Sequence, residues 1–424
     1  MKALIITYYW PPAGGSGVQR WLKFVKYLQD FDVEPVVYTV ENPDYVITDD
    51  TLKKEIPNGI EIIKQPIWEP NNLLTLFKSK QQKTSAGFLN PDPSFLEKQL
   101  QYIRANYFIP DARKFWVKPS VRFLSEYLKN NKVDVVITTG PPHSLHLIGM
   151  ELKRRFPIKW ISDFRDPWTD IDYFHQLPLT KKTIQKHYQL EEEVVSTADC
   201  VLVVGKTMKE KYLKFNQNIE VITNGFDDID DESKVELDIK FSIVHIGMMN
   251  ADRNPRILWK VLSDLIKENQ EFAEDLQLKF VGKLAHEVFE SINNNKLTSV
   301  IEYITYLPHK EVVIFQQSAQ ILLLAVNKVP SANGIITGKV FEYLQANRPI
   351  LAIAPTEGDL AEIINSTKAG RVVDFDDEET LKKDILEMYE AYKKHKLVVN
   401  SKSIEQYHRK NLTGQLADVI KNII

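Results

Sequence analysis

The chain has one cysteine, Cys200, in 424 residues. That excludes an intramolecular disulfide framework and fits a reducing compartment. Long apolar runs are missing as well. The longest, such as Ile321–Val326 and Val201–Val204, are strand-length, well short of the roughly 18 residues of a spanning helix. The opening run Met1–Ile6 passes straight into Thr7-Tyr8-Tyr9-Trp10 with no small-residue cleavage site behind it, so neither secretion nor membrane insertion is expected. Charge of one sign is lacking too. Lys and Arg total 54 against 57 Asp and Glu, a net charge of -3, which gives no global reason to expect nucleic acid. There is no low-complexity tract and no short-period repeat.

What is present is an ordinary globular composition, 43% hydrophobic and 26% charged, too apolar for disorder. At roughly 100–200 residues per domain the length predicts two domains. Short β-branched runs recur, each followed by a helical pattern. In the first half they predict strands at Ala3–Thr7, Pro35–Thr39, Ile60–Lys64, Val133–Thr138, Lys159–Asp163, Cys200–Val204 and Glu220–Thr223. In the second half they predict strands at Phe241–Ile246, Leu278–Val281, Glu302–Thr305, Ile321–Ala325, Ile350–Ala354 and Arg371–Asp374. Strand alternating with helix predicts parallel sheets covered on both faces, here two doubly wound α/β domains in series. The seam is expected near 224–240, where Asn224-Gly225 signals a turn and Asp227–Glu232 reads as a polar linker.

The near-zero net charge hides a local bias. Residues 73–132 carry 11 basic and 4 acidic residues, with aromatics such as Phe77, Phe88, Phe95, Tyr102, Tyr107, Phe115 and Trp116 among them. Such a segment can sit on an anionic bilayer or hold an anionic lipid-linked substrate; the alternative is a helical hairpin with its aromatics in the core.

Four stretches carry candidate chemistry, each at a strand's carboxyl end, where ligands bind in open α/β sheets. Pro11-Pro12-Ala13-Gly14-Gly15-Ser16-Gly17 opens a helix, and its glycines permit close approach of an anion to backbone N–H groups. Its spacing is not that of a dinucleotide fingerprint, and no acidic residue ends the second strand, which argues against a nicotinamide cofactor. Thr138-Thr139-Gly140-Pro141-Pro142-His143-Ser144 places His143 at a helix start. His143 and His146 could share a helix face, but no third ligand with metal spacing stands nearby. Asp163-Phe164-Arg165-Asp166 can hydrogen-bond polyols or anchor its own loop. In the second half, Gly247 follows a strand with Arg253 close behind. Thr337-Gly338-Lys339 then enters a helix that carries Glu342 one turn on. A lysine in a first turn is electrostatically misplaced, unless an anion binds there.

Together these residues resemble retaining glycosyltransferases of the GT-B type, the bacterial group often called glycosyltransferase group one. The marks are Pro-Pro-Ala-Gly-Gly-Ser-Gly, Gly-Pro-Pro-His-Ser, Asp-Phe-Arg-Asp-Pro-Trp, Ile-Thr-Asn-Gly-Phe-Asp and Thr-Gly-Lys-Val-Phe-Glu-Tyr-Leu. The resemblance implies two facing Rossmann-like domains with a deep cleft, 1–223 on the acceptor side and 224–411 holding a nucleotide sugar, with a final helix at 412–424 crossing back. It implies that Arg253 and Lys339 neutralise the diphosphate and that Glu342 binds the ribose. Gly14, Gly15, Gly17, Gly247, Thr337 and Gly338 would line the donor, Leu307 would lie beside the base, and His143 would sit by the donor sugar; Asp166, in the Asp–Arg–Asp cluster, is a further catalytic candidate beside His143, Arg253 and Lys339. The nucleotide sugar would be a substrate, with no metal or other cofactor, and the other partner a glycan or lipid-linked acceptor. Two positions depart from the pattern: Gly334 stands where the family has its first glutamate, and Met248 where it has arginine after glycine.

Overall fold

A computed structural model describes residues 1–69, 94–229 and 235–424. The chain divides into two compact units, Met1–Asn224 with Arg409–Ile424, and Gly225–His408.

The first unit is built on seven strands: β1 (Lys2–Ile6), β2 (Glu34–Val40), β3 (Glu61–Gln65), β4 (Val135–Gly140), β5 (Lys159–Phe164), β6 (Cys200–Val203) and β7 (Ile219–Val221). Their order is β3-β2-β1-β4-β5-β6-β7, every neighbouring pair parallel. Period-two alternation splits each strand between two cores. Leu4, Ile6, Val36 and Tyr38 pack on one face. Ala3, Ile5, Val37, Val135 and Ile137 pack on the other, under Trp21, Leu22 and Val25 of the Ser16–Leu28 helix. Leu412, Leu416 and Ile420 of the Arg409–Ile423 helix complete that second core.

The second unit holds β8 (Phe241–Ile246), β9 (Leu276–Val281), β10 (Ile301–Ile304), β11 (Ile321–Ala325), β12 (Ile350–Ile353) and β13 (Gly370–Val373). The order is β10-β9-β8-β11-β12-β13, again all parallel. The fold is therefore α/β with two Rossmann-like parallel sheets, and each of the thirteen expected strands is present.

Both orders reverse direction once, between β1 and β4 in the first unit and between β8 and β11 in the second. Helices leave toward opposite faces at such a switch point, so a crevice opens at the carboxyl ends of the two central strands. The glycine-rich loop and the His143 loop follow β1 and β4. Gly247 follows β8, and the segment leading to Lys339 follows β11. Each unit thus places its singled-out residues at its own switch point.

Candidate active site

In the second unit the switch-point gap is visible in the hydrogen bonds. Pairing of β8 with β11 is limited to Ile243 and Val244. Beyond it, side chains take over the backbone groups: Tyr343 Oη accepts from the Ile246 N–H at 3.2 Å, and His245 Nδ1 lies 3.2 Å from the Leu323 carbonyl. A carbonyl only accepts, so Nδ1 carries the hydrogen and His245 Nε2 is left as an acceptor. Burial keeps this imidazole neutral, its pKa driven well below the ordinary range.

Two glycines floor the gap. Gly247 (φ +99°) donates to the Val281 carbonyl at 2.6 Å, and Gly282 (φ +114°) donates to the Ile304 carbonyl at 2.8 Å. Both torsions lie where side chains are strained. A Cβ on Gly282 would fall 2.8 Å from the Gly247 carbonyl oxygen, and one on Gly247 would fall 2.7 Å from Lys339 Cε. The lysine therefore lies across bare backbone, with Nζ 3.4 Å from His245 Nε2.

Lys339 starts the Lys339–Ala346 helix, capped by Gly338 with no side-chain hydrogen bond. It makes no ion pair among the described residues. Glu342, one turn on, instead accepts from Gln316 Nε2 at 3.0 Å, and no i,i+3 ion pair joins it to Lys339. Arg253 lies in a short turn (Ala251–Arg253) before the next helix, held by Asn327 Oδ1 at 3.1 Å from its Nε. Burial first, and then the Arg253 charge, pull the Lys339 ammonium down to about 7. Two cations crowd a glycine-floored pocket, an arrangement an anion would relieve. Leu307 packs against the hydrophobic core, Thr337 accepts from Val340 N, and space is open around Gly338.

In the first unit the three candidate loops are tied together by Arg165. Its Nη1 donates to the Gly17 carbonyl at 2.7 Å, its Nη2 to the Pro141 carbonyl, and its own N–H to the Gly140 carbonyl at 2.9 Å. One guanidinium thus joins the ends of β1, β4 and β5. The expected Asp–Arg–Asp cluster is not a pair within its own loop. Asp163 is fully buried and binds Arg20 Nη2 at 2.9 Å, Trp21 Nε1 at 2.7 Å and Thr139 Oγ1 at 2.9 Å. Asp166 stands exposed beyond it.

The glycines divide as well. Gly14 does not offer its amide to a ligand, because that N–H donates to the Ile47 carbonyl at 2.9 Å, and a Cβ there would meet Ile47 at 2.9 Å. Gly15 (φ +84°) caps the Ser16–Leu28 helix with open space around it. His143 precedes the Ser144–Arg155 helix, whose first N–H and hydroxyl are held by Asp111. Its ring lies flat against Trp168, with centroids 4.8 Å apart and 5° between planes. Among the described residues no group of three His, Cys, Asp or Glu could hold a metal.

Several participants carried no local signal. His245, Asn327 and Gln316 are ordinary letters within or after helices and strands, and Glu69, which binds Tyr8 and Arg113 beside β1, pairs with an arginine distant in sequence. Gly282 was legible in principle, since it ends an apolar strand as Gly247 does.

Residues 240–391 match the family model described as glycosyl transferases group 1. This segment is similar to group 1 glycosyltransferases, and it contains Gly247, Arg253, Lys339 and Glu342, so the cationic pocket lies within the matched residues. No curated protein matches the chain. Solved structures match over its full length at low identity. The lipopolysaccharide outer core galactosyltransferase WaaB has TM-score 0.63 at 12% identity, covering 100% of both chains. The sucrose-phosphate synthase of Thermosynechococcus elongatus has TM-score 0.56 at 13% identity, covering 100% of this chain and 94% of its own. A putative UDP-N-acetylglucosamine 2-epimerase from Listeria monocytogenes has TM-score 0.55 at 13% identity, covering 99% and 96%. These likenesses show a shared fold, two Rossmann-like parallel-sheet units of the kind found in GT-B proteins.

Proposed function

We propose that this glycosyltransferase moves a sugar, with retention of configuration, from a nucleoside-diphosphate sugar to a glycan or lipid-linked acceptor in cell-surface polysaccharide synthesis. The observation that carries the reading is Lys339 laid over Gly247 beside Arg253 at the β8 carboxyl end. Departure of a nucleoside diphosphate needs fixed positive charge in a site poor in water, and preorganised cations supply it without reorganisation. In this reading Glu342, one turn along the same helix, binds the ribose, and Leu307 lies beside the base. The first unit takes the acceptor, with His143 and Asp166 at its switch point; holding the acceptor hydroxyl in line contributes through proximity. The leaving phosphate takes the acceptor proton, so the donor is a substrate and no cofactor is needed.

The second reading is a nucleotide-sugar epimerase, favoured by the epimerase among the structural neighbours. Incubation with a labelled nucleotide sugar, with and without acceptor lipid extract, separates the two. Transfer predicts label on the acceptor only when acceptor is added. Acceptor-independent appearance of an isomerised nucleotide sugar would establish the epimerase instead. Nucleotide binding with neither product would identify a non-catalytic binding protein.

The part of the basic segment at 73–132 that lies within 70–93 falls outside the described residues. The Phe95–Tyr107 helix that follows is described, and it buries none of its residues. Leu96, Ile103 and Tyr107 stand exposed along one stripe, while Trp116 lies in the core. No helix among the described residues is long and apolar enough to cross a membrane. We place the protein in the cytoplasm, touching the inner membrane face through this stripe, with Arg104 at its edge. Pelleting with anionic vesicles, absent with zwitterionic ones and lost in the variant L96S/I103S/Y107S, is the expected result. Equal pelleting of variant and parent would refute the contact.

A further inference from the structure

A buried polar chain runs beneath His143. Trp160 Nε1 donates to Thr138 Oγ1 at 2.9 Å, and Thr138 Oγ1 lies 3.0 Å from His146 Nδ1. All three residues are 0% exposed. Two glycines make room for it. A Cβ on Gly149 would fall 2.2 Å from Trp160 Nε1. One on Gly140 would fall 2.5 Å from His146 Nε2 and 2.9 Å from His143 Nδ1. Those two nitrogens therefore converge over bare backbone. Both are buried, and neither has a hydrogen-bond partner.

The indole N–H can only donate. Thr138 Oγ1 receives it, and because His146 Nδ1 is the acceptor within reach of the hydroxyl's own hydrogen among the described residues, donation to Nδ1 is the direction that leaves that buried hydrogen satisfied. A neutral imidazole that accepts at Nδ1 carries its hydrogen at Nε2. His146 Nε2–H then faces His143 Nδ1 across the bare Gly140 backbone and reaches it through one bridging water. His143 in turn accepts at Nδ1 and carries its own hydrogen at Nε2. His143 Nδ1 is buried without a partner whereas Nε2 is not, and the residue keeps part of its surface accessible, so the Nε2 edge is the one that can meet a ligand. Trp168, stacked on the ring and donating to His187 Nδ1 at 3.0 Å, holds the ring plane. Burial opposes a charge on either histidine, with His146 driven down to about 3.

We propose that Trp160, Thr138 and His146 are positioning residues that lock His143 in its Nε2–H tautomer, so that it donates a hydrogen bond to a substrate oxygen and takes no proton from the acceptor. The substrate half of this inference rests on the transferase reading; the tautomer does not. The chain gives His143 a role as a fixed donor, which makes an oxygen at that place on the substrate a requirement for binding.

The test is a long-range proton–nitrogen correlation spectrum of protein labelled with 15N-histidine, recorded near neutral pH without substrate. It reads the tautomer independently of turnover, so its failure is distinct from failure of the transferase reading. The His143 signals are those lost in His143→Gln. The expected pattern for both His143 and His146 is a pyrrole-type Nε2 and a pyridine-type Nδ1. In Trp160→Phe the donor that fixes the chain's direction is gone, and a second population with Nδ1–H is expected. A pyrrole-type Nδ1 on either histidine of the parent protein would overturn the proposal. So would a folded Trp160→Phe with both patterns unchanged. If that variant does not fold, the parent spectrum decides alone.

Discussion

Lys339→Ala lowers kcat/KM for sugar transfer by roughly 10²–10³-fold, the usual cost of removing one preorganised group from a developing negative charge, without lowering the melting temperature. The two halves of that expectation have one cause. Lys339 is held at about 7 against an ordinary 10.5, so the folded protein binds this proton less tightly than the unfolded chain does. Protonation therefore opposes folding. The penalty grows as pH falls from 10.5 to about 7 and is constant below that. Removing the side chain relieves it at neutral pH, and thermal unfolding of the variant should occur at or above the parent temperature. A bound diphosphate reverses the balance by favouring the charged amine. Nucleotide binding above pH 7 is thus accompanied by proton uptake, and affinity falls as pH rises through that range. A variant with parental kcat/KM would remove Lys339 from the site.

Asp163→Ala destabilises the first unit by about 3–5 kcal/mol, the range for breaking a buried ion pair from one side. Asp163 is fully buried, and its partner Arg20 has a side chain only 3% exposed. The substitution leaves that guanidinium without its carboxylate, and leaves Trp21 Nε1 and Thr139 Oγ1 without an acceptor. Arg20 also donates to the Thr223 carbonyl at 2.7 Å, so the end of the first unit loosens with it. Urea unfolding followed by tryptophan fluorescence should show an earlier first transition. Asp166→Ala, three residues on and exposed, should leave that transition within about 0.5 kcal/mol of the parent while lowering transfer. Equal stability losses in the two variants would contradict the division of roles between these carboxylates.

The fold was legible because its strands are buried on both faces. Val135–Ile137 and Ile321–Ala325 are continuous apolar runs, and the helical periods between them call for parallel pairing. The positions of Gly247 and Lys339 were legible for a related reason: a glycine or a cation at a strand's carboxyl end conflicts with local propensity, and such conflicts mark function. The partners were not legible. Whether Asp163 would turn to Arg165 or to Arg20 depends on which helix covers β5. That Gly14 spends its amide on Ile47 depends on a loop more than thirty positions away. His245 reads as a strand residue until the shortened pairing of β8 and β11 shows what its ring replaces. The two histidines after β4 raised the question of a metal, but the order of donors through Thr138 and Trp160 needs three-dimensional contacts.

The most direct measurement is a calorimetric titration of the parent protein and Lys339→Ala with a panel of nucleoside diphosphates at pH 7 and pH 9. The account predicts that at least one nucleotide binds the parent, that binding weakens at pH 9, and that Lys339→Ala binds it at least about tenfold more weakly, a loss of about 1.4 kcal/mol. A variant that binds the same nucleotide as tightly as the parent at both pH values would contradict the assignment of the β8 switch point as the diphosphate site.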